Sequence, residues 1–188
     1  MPSENIILSG FGGQGIVAAG RTIAYAGMKD GNAVSMLPSY GPEMRGGFAN
    51  CSVILSESEI ASPVISLADV VIAMSQPAAE KFESKVKPGK TMIIDSHQIK
   101  RKEFRRDIQV IEIPATKIAM DIGNVKFSNM VMIGALMAAI RCPSVGSMSE
   151  AVKDFLPKGK ESLFQSEMDA LYEGMEFVKQ YYQEFGKA

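Results

Sequence analysis

Short apolar runs alternate with longer amphipathic segments along most of the chain. Runs rich in Ile, Val and Leu predict β-strands, whereas apolar residues three and four positions apart predict helices. Strands that alternate with helices predict an α/β fold with a mostly parallel, Rossmann-like sheet flanked by helices and closed by C-terminal helices. We expect the whole chain, residues 1–188, to form one domain. The predicted strands are 5–9, 33–37, 48–55, 69–75, 91–95 and 109–113, and the predicted helices are 16–28, 77–85, 115–123, 129–141, 149–155 and 162–185.

Two glycine-rich segments interrupt this pattern. The first, the glycine loop Gly10-Phe11-Gly12-Gly13-Gln14-Gly15, follows a predicted strand and precedes a predicted helix. That is the setting of a dinucleotide- or phosphate-binding loop, where backbone N–H groups of the helix start favour an anion. The second, here called the second loop, spans residues 38–47 and contains two prolines and three glycines. We therefore expect no regular structure in it.

A nicotinamide dinucleotide is not the favoured ligand of the glycine loop. Dinucleotide-binding folds carry an acidic residue at the end of the second strand, where it binds the ribose. Here that strand is expected to end at Leu37 and Pro38, and Asp30 precedes it. Two interpretations remain: the glycines only allow close packing, or the loop contacts another phosphate-bearing or polar group, in this chain or across a subunit interface.

The second loop carries the more specific side chains. It follows the second predicted strand, so we expect it beside the glycine loop at the carboxyl edge of the sheet, where ligands approach. Glu43 and Arg45 could support each other, and Arg45 could clamp a carboxylate or a phosphate. Tyr40 could stack and donate a hydrogen bond. The alternative is a rigid connection with a surface ion pair.

Composition narrows the classes of function. The chain has 20 basic and 21 acidic residues, and a formal charge of −1 argues against nucleic-acid binding. Two cysteines, Cys51 and Cys142, and one histidine, His97, predict neither an iron–sulfur cluster nor a metal site. No apolar run is long enough to span a membrane, and the N-terminus lacks signal-peptide features, so we expect a cytoplasmic protein.

The chain resembles the gamma subunit, or gamma domain, of 2-oxoacid:ferredoxin (acceptor) oxidoreductases. The resemblance extends from residue 5 to about residue 140. As a free-standing chain of this length, the protein is most similar to the gamma subunit of the 2-oxoglutarate enzyme. Pyruvate, 2-oxoisovalerate and indolepyruvate enzymes remain open as alternatives. The matching residues are the glycine loop, Ser39-Tyr40-Gly41-Pro42-Glu43-Met44-Arg45-Gly46-Gly47, Ala119, Gly123-Asn124, Asn129-Met130 and Gly134-Ala135-Leu136.

The resemblance implies a part in the oxidative decarboxylation of a 2-oxoacid, with 2-oxoglutarate as the expected substrate. The product would be an acyl-CoA, and two electrons would pass to ferredoxin or another acceptor. Thiamine diphosphate and iron–sulfur clusters would be bound by partner subunits, alpha and beta with or without delta. This chain would bind no cofactor alone, supply no catalytic residue and be inactive alone.

The same resemblance implies a contact surface for coenzyme A, the co-substrate, or for the facing subunit. Asn129, at the start of a predicted helix, is expected to cap that helix or to belong to this surface. The remaining alternatives are a stand-alone Rossmann-type nucleotide-binding protein and a homo-oligomeric scaffold. The expected contact residues are Gly10, Gly12, Gly13, Gln14, Gly15, Tyr40, Glu43, Arg45 and Gly46.

Overall fold

The structure is a computed structural model that describes residues 3–39, 47–100 and 103–186. Within these residues one six-stranded sheet is flanked by helices on both faces, which confirms the predicted α/β class. The strands are β1 (Glu4–Phe11), β2 (Ala33–Ser39), β3 (Phe48–Ser56), β4 (Ala68–Ala73), β5 (Val86–Asp95) and β6 (Gln109–Ile113). The helices are α1 (Ile16–Lys29), α2 (Gln76–Phe82), α3 (Ala115–Ile122), α4 (Ser128–Ile140), α5 (Val145–Phe155) and α6 (Leu163–Phe185).

The strand order is β2-β3-β1-β4-β5-β6. Strands β1, β4, β5 and β6 pair in parallel, whereas β3 runs antiparallel to both of its neighbours, β1 and β2. The order reverses at β1, because the chain leaves β1 toward β2 and β3 on one side and later returns to β4 on the other. The gap between the carboxyl ends of β1 and β4 is therefore the place where doubly wound folds bind ligands.

The two faces of the sheet bury different sets of apolar side chains. Alternate residues along β3, namely Ala49, Cys51, Val53 and Leu55, pack toward α1, as the sequence predicts. Helices α3, α4, α5 and α6 join the same core, whereas α2 covers the opposite face. Gly20 of α1 lies against Cys51, where a Cβ atom would overlap the sulfur, so the close approach of α1 to the sheet requires glycine there.

Helix α4 is buried on nearly every side, between the sheet and α6. Met130, Met132 and Met137 are at most 5% exposed, so these methionines fill the core of this chain. Helix α6 presents a buried stripe that includes Met168, Leu171 and Val178, as the three/four spacing predicts.

Several predicted boundaries are wrong, and those of β2, β5 and α5 differ most in what they imply. Pro38 belongs to β2, opposite Cys51, because β2 is an edge strand and one of its sides needs no N–H donor. Strand β5 begins at Val86, before the predicted apolar run. Helix α5 begins at Val145, not at 149, because the Ser144 hydroxyl accepts a hydrogen bond from the Ser147 N–H and caps it.

Candidate functional site

The glycine loop begins inside β1 and ends at the first turn of α1. Gly10 and Phe11 still pair with β3, opposite Ala49 and Phe48. The chain then turns through Gly13, with φ 92°, and Gly15, with φ 75°, before α1 begins. Both values lie in the left-handed region that favours glycine. The strand, loop and helix that the sequence predicts are thus confirmed.

The side chain of Gln14 holds this loop from inside. Its Oε1 atom accepts a hydrogen bond of 2.6 Å from the Phe11 N–H, and its Nε2 atom donates one of 2.8 Å to the Met74 carbonyl. Met74 directly follows β4, so the amide crosses from the end of β1 to the end of β4. Gln14 thereby occupies the gap where a doubly wound fold would receive its ligand. Its amide positions the loop and has both ends engaged within the chain.

The glycines of the loop serve different purposes. At Gly10 a Cβ atom would meet the Gln14 amide, and would lie 2.9 Å from Ile16 Cδ1. At Gly15 it would lie 2.5 Å from the Asn129 side-chain nitrogen. These two glycines allow internal packing. Gly13 instead faces open space, because a Cβ atom added there would meet no other atom within 4 Å.

An open groove of about 660 Å³ lies on the β3 side of the loop. Its walls are the aromatic rings of Phe11 and Phe48, the side chains of Ile16 and Val17, and the backbone of Gly12, Gly13 and Gly47. The N–H groups of Gly13, Gly15, Ile16 and Val17 have no acceptor among the described residues. The groove thus combines an apolar wall with backbone donors at the positive end of α1.

Two phenylalanines border the groove. The rings of Phe11 and Phe48 are 5.4 Å apart, and Phe11 is 41% exposed. The ammonium of Lys81 lies 5.9 Å from the centre of the Phe48 ring. The sequence motifs predict neither aromatic residue as part of the site, although Phe11 lies inside the glycine motif. Phe48 is partly buried, so Phe11 provides most of the exposed aromatic surface, and exposed apolar surface beside a groove is typical of a contact surface.

The second loop approaches the glycine loop at its far end. The Gly12 N–H donates a hydrogen bond of 2.7 Å to the Gly47 carbonyl, and β3 begins at the next residue. Strand β2 ends at Ser39 on the same edge of the sheet. The expected proximity of the two loops is confirmed at Gly47. Four expected contact residues, Tyr40, Glu43, Arg45 and Gly46, lie outside the described residues.

Asn129 does not cap α4. The residue preceding that helix is Phe127, and no side chain caps its first turn. Asn129 is the second residue of α4, and its amide lies against Gly15 at the start of α1. The capping prediction is therefore wrong, because the short helical turn Val125–Phe127 leads directly into α4 and leaves no extended residue to act as the cap.

Asp30 is used for a structural purpose. Its carboxylate accepts hydrogen bonds from the Ser144 N–H at 2.6 Å, the Ser144 hydroxyl at 2.7 Å and the Ser147 hydroxyl at 2.5 Å. Burial acts to raise the pKa of Asp30, but these hydrogen bonds outweigh it and hold the pKa below its usual value. Asp30 therefore supports the start of α5 and lies away from the glycine loop.

The described part of the chain offers no ready-made metal site. Within residues 3–39, 47–100 and 103–186, no group of three or more His, Cys, Asp or Glu side chains is arranged to hold a metal ion. Cys51 and Cys142 are buried thiols, and burial raises the pKa of each to about 11. Over the same residues, no helix combines the length and the apolar character needed to cross a bilayer.

Comparison with known families gives a family match over most of the chain. The pyruvate ferredoxin/flavodoxin oxidoreductase family matches residues 5–177. This match includes both glycine-rich loops and most of α6. It confirms the resemblance that the sequence motifs predict.

Curated relatives differ in how much of their length this chain covers. The 2-oxoglutarate synthase subunit KorC of Methanothermobacter marburgensis is 35% identical over 182 residues, which cover 91% of this chain and 98% of the relative. The ketoisovalerate oxidoreductase subunit VorA of Methanothermobacter thermautotrophicus is 32% identical over 180 residues. This second match covers 95% of this chain and 37% of VorA, so the chain spans little more than a third of that relative.

Solved structures share the fold over almost the whole chain. The gamma subunit of a keto/oxoacid ferredoxin oxidoreductase from Geobacter sulfurreducens matches with a TM-score of 0.82 and 28% identity, covering 94% of this chain and 99% of that one. A 2-oxoglutarate:ferredoxin oxidoreductase from Magnetococcus marinus, solved with 2-oxoglutarate, coenzyme A and succinyl-CoA bound, matches with a TM-score of 0.88 and 25% identity. The match covers all of this chain and 32% of that one.

Proposed function

The chain belongs to the pyruvate ferredoxin/flavodoxin oxidoreductase family, and from this premise we propose that it is the gamma subunit of a 2-oxoacid:ferredoxin (acceptor) oxidoreductase. The assembled enzyme would convert a 2-oxoacid and coenzyme A to an acyl-CoA and CO₂, and two electrons would pass to ferredoxin or another acceptor. Near-complete coverage of KorC supports 2-oxoglutarate as the substrate. Thiamine diphosphate, held at the alpha and beta subunits, would supply the decarboxylation, and iron–sulfur clusters on other subunits or domains would transfer the electrons.

The groove beside the glycine loop carries this proposal. It offers backbone N–H donors at the start of α1 next to the exposed Phe11 ring and the partly buried Phe48 ring. Donors of this kind suit a phosphate of coenzyme A, and an apolar wall suits either its organic part or a facing subunit. The expected contact surface accordingly consists of Gly12, Gly13, Gly15 and the second loop. Gln14 supports this surface from within the fold, because its amide already forms hydrogen bonds inside the chain.

A stand-alone nucleotide-binding protein is the second candidate, and three features oppose it. Gln14 occupies the gap between β1 and β4. Strand β3 separates β1 from β2, so the end of the second strand does not adjoin the glycine loop directly. Asp30, the acidic residue that precedes β2, is bound to Ser144 and Ser147. A nucleotide ribose would therefore lack its usual partner.

Purification of the tagged chain from the cells that make it tests the proposal. We expect subunits that carry thiamine diphosphate and iron–sulfur clusters to copurify, and the complex to reduce ferredoxin only when a 2-oxoacid and coenzyme A are both present. Comparison of 2-oxoglutarate, pyruvate, 2-oxoisovalerate and indolepyruvate as substrates identifies the 2-oxoacid. A chain that purifies only with itself, and whose melting temperature rises with NAD and not with coenzyme A, would support the second candidate instead.

Arg45 gives a test at the level of one side chain. Arg45→Ala in the assembled enzyme should raise the apparent KM for coenzyme A, or weaken subunit association, by roughly tenfold, because a charge-assisted hydrogen bond contributes about 1.5–3 kcal/mol. Arg106→Ala, at an exposed position, is the matched control. Steady-state kinetics and analytical ultracentrifugation separate the two roles. Unchanged values of both would exclude Arg45 from the contact surface.

A further inference from the structure

A second pocket, of about 260 Å³, lies further along α1 than the groove. It is formed where α1, the turn Val125–Phe127, the start of α4, the end of α5 and the start of α6 meet. The pocket and the groove share only Ala18 in their walls. Its polar wall includes the side chains of Arg21, Lys126, Asn129, Lys160 and Glu167.

Three cations line this second pocket without a carboxylate partner. Arg21, Lys126 and Lys160 form no ion pair within the described part of the chain. By contrast, Lys29, two turns further along α1, lies 3.0 Å from Glu150. Like charges that line one cavity repel each other, so an anion between them would lower the energy of the arrangement, most strongly at low ionic strength because all three side chains are exposed.

Arg21 is held in a position that suits an anion. Its guanidinium lies over the Phe155 ring, 4.2 Å from the ring centre. Stacking uses the flat face of the guanidinium and leaves its in-plane N–H groups available. Those groups match the oxygens of a phosphate in a bidentate arrangement, and a phosphate would neutralise the three cations more completely than a singly charged carboxylate.

Two further polar side chains complete the wall. The side chains of Glu167 and Asn129 are each partly buried, and neither forms a hydrogen bond with another described residue. Burial raises the pKa of the Glu167 carboxyl. A polar group that is removed from water without a partner costs free energy, and a ligand with its own donors would remove that cost.

We propose that this second pocket binds a phosphorylated small molecule. The phosphoryl group lies among Arg21, Lys126 and Lys160, and a donor elsewhere on the molecule reaches Glu167. Asn129 places the pocket next to the glycine loop, since its amide also lies against Gly15. The proposal does not depend on the chain being a gamma subunit, because every residue that carries it belongs to this chain.

Isothermal titration of the full chain with inorganic pyrophosphate at low ionic strength tests this proposal. We expect saturable binding with one site, weakened about tenfold or more by Arg21→Gln and by the double substitution of Lys126 and Lys160 to Gln. Glu167→Gln should tighten binding, because it removes a facing negative charge. Substitution of Lys85 and Lys179 to Gln is the charge-matched control and should leave binding unchanged.

Phe11→Glu distinguishes the second pocket from the groove beside the glycine loop. It places a negative charge in the groove, at the end of β1 and outside the wall of the second pocket, and should leave pyrophosphate binding intact. Loss of binding in Phe11→Glu alone would assign the anion to the glycine loop and overturn the proposal. An equal weakening by the Lys85 and Lys179 control, or the absence of saturable binding, would overturn it as well.

Discussion

Gln14 determines the shape of the glycine loop through two hydrogen bonds, to the Phe11 N–H and the Met74 carbonyl. Gly10 is the residue that makes room for it, because any side chain there would overlap the Gln14 amide. The glycine motif therefore reflects internal packing at Gly10 and an open surface at Gly13. A motif of the same letters in a dinucleotide-binding fold would place its ligand where the Gln14 amide lies.

Gln14→Ala should lower the free energy of unfolding by about 1–3 kcal/mol, because it removes two hydrogen bonds worth about 0.5–1.5 kcal/mol each. Urea denaturation measures the change. Gln165→Ala is the control: its amide pairs with Asp169 on the exposed surface of α6, and we expect a change of about 0.5 kcal/mol or less. Equal effects in the two variants would contradict the assigned role of Gln14.

Residue-level roles are the hardest to predict from the sequence. The position of the glycine loop follows from its motif and its neighbours. The partner of Gln14 does not, since Met74 lies 60 residues further along the chain. The contact between Asn129 and Gly15 depends in the same way on how α4 packs against α1. Such contacts are set by tertiary structure, which local patterns do not encode.

At the level of elements, α4 and α6 approach each other through a pair of glycines. A Cβ atom at Gly134 would overlap the Leu171 carbonyl, and one at Gly174 would overlap the Val131 carbonyl. The two helix backbones therefore touch at this crossing. Because α4 also packs against the sheet, the crossing fixes α6 to the core of the molecule.

Gly134→Ala should separate the two helices and destabilise the chain by about 1–3 kcal/mol, the usual cost of overpacking a core. Gly146→Ala is the matched control, since Gly146 lies in α5 with no atom within 4 Å of the added carbon. That change should stabilise the chain by up to about 1 kcal/mol, because alanine restricts the unfolded chain more than glycine does. Thermal unfolding of both variants checks that the two changes in stability have opposite signs.

Hydrophobic periodicity predicts the type and order of the elements, because most of the strands and helices bury at least one face. It does not predict the direction of β3, since antiparallel and parallel strands with a buried face show the same alternation. It also misses the first turn of α5. Ser144 and Asp30 stabilise that turn through polar contacts, which leave no apolar period in the sequence.

For the molecule as a whole, Asp69 links three strands at the edge of the sheet opposite the glycine loop. Its carboxylate accepts hydrogen bonds from the Asn5 N–H and the Lys87 ammonium, and the Lys90 ammonium lies 3.2 Å away. Burial acts to raise the pKa of Asp69, but these contacts outweigh it and hold the pKa below its ordinary value. Asp69 thus stabilises the fold as an anion.

A carboxyl group with a depressed pKa stabilises the folded state above its unfolded pKa, and this stability is lost as the pH falls through the folded pKa. Asp69→Asn should therefore be less stable than the wild type at neutral pH, and the difference should shrink below about pH 4. Urea denaturation across this range measures it. Asp121→Asn, which alters an exposed pair with Lys117, is the control, and we expect it to change the free energy of unfolding by less than about 1 kcal/mol.

The bridge that Gln14 forms between β1 and β4 also constrains how the molecule can move. A loop that is tied at Met74 and again, through Gly12, at Gly47 cannot fold over a ligand as a hinged lid. Any closing motion at this edge must carry the loop and the sheet together as one rigid body. The hinge between this chain and its neighbours would then determine the opening and closing motion. The strength of the contacts at that hinge would determine the rate of the motion.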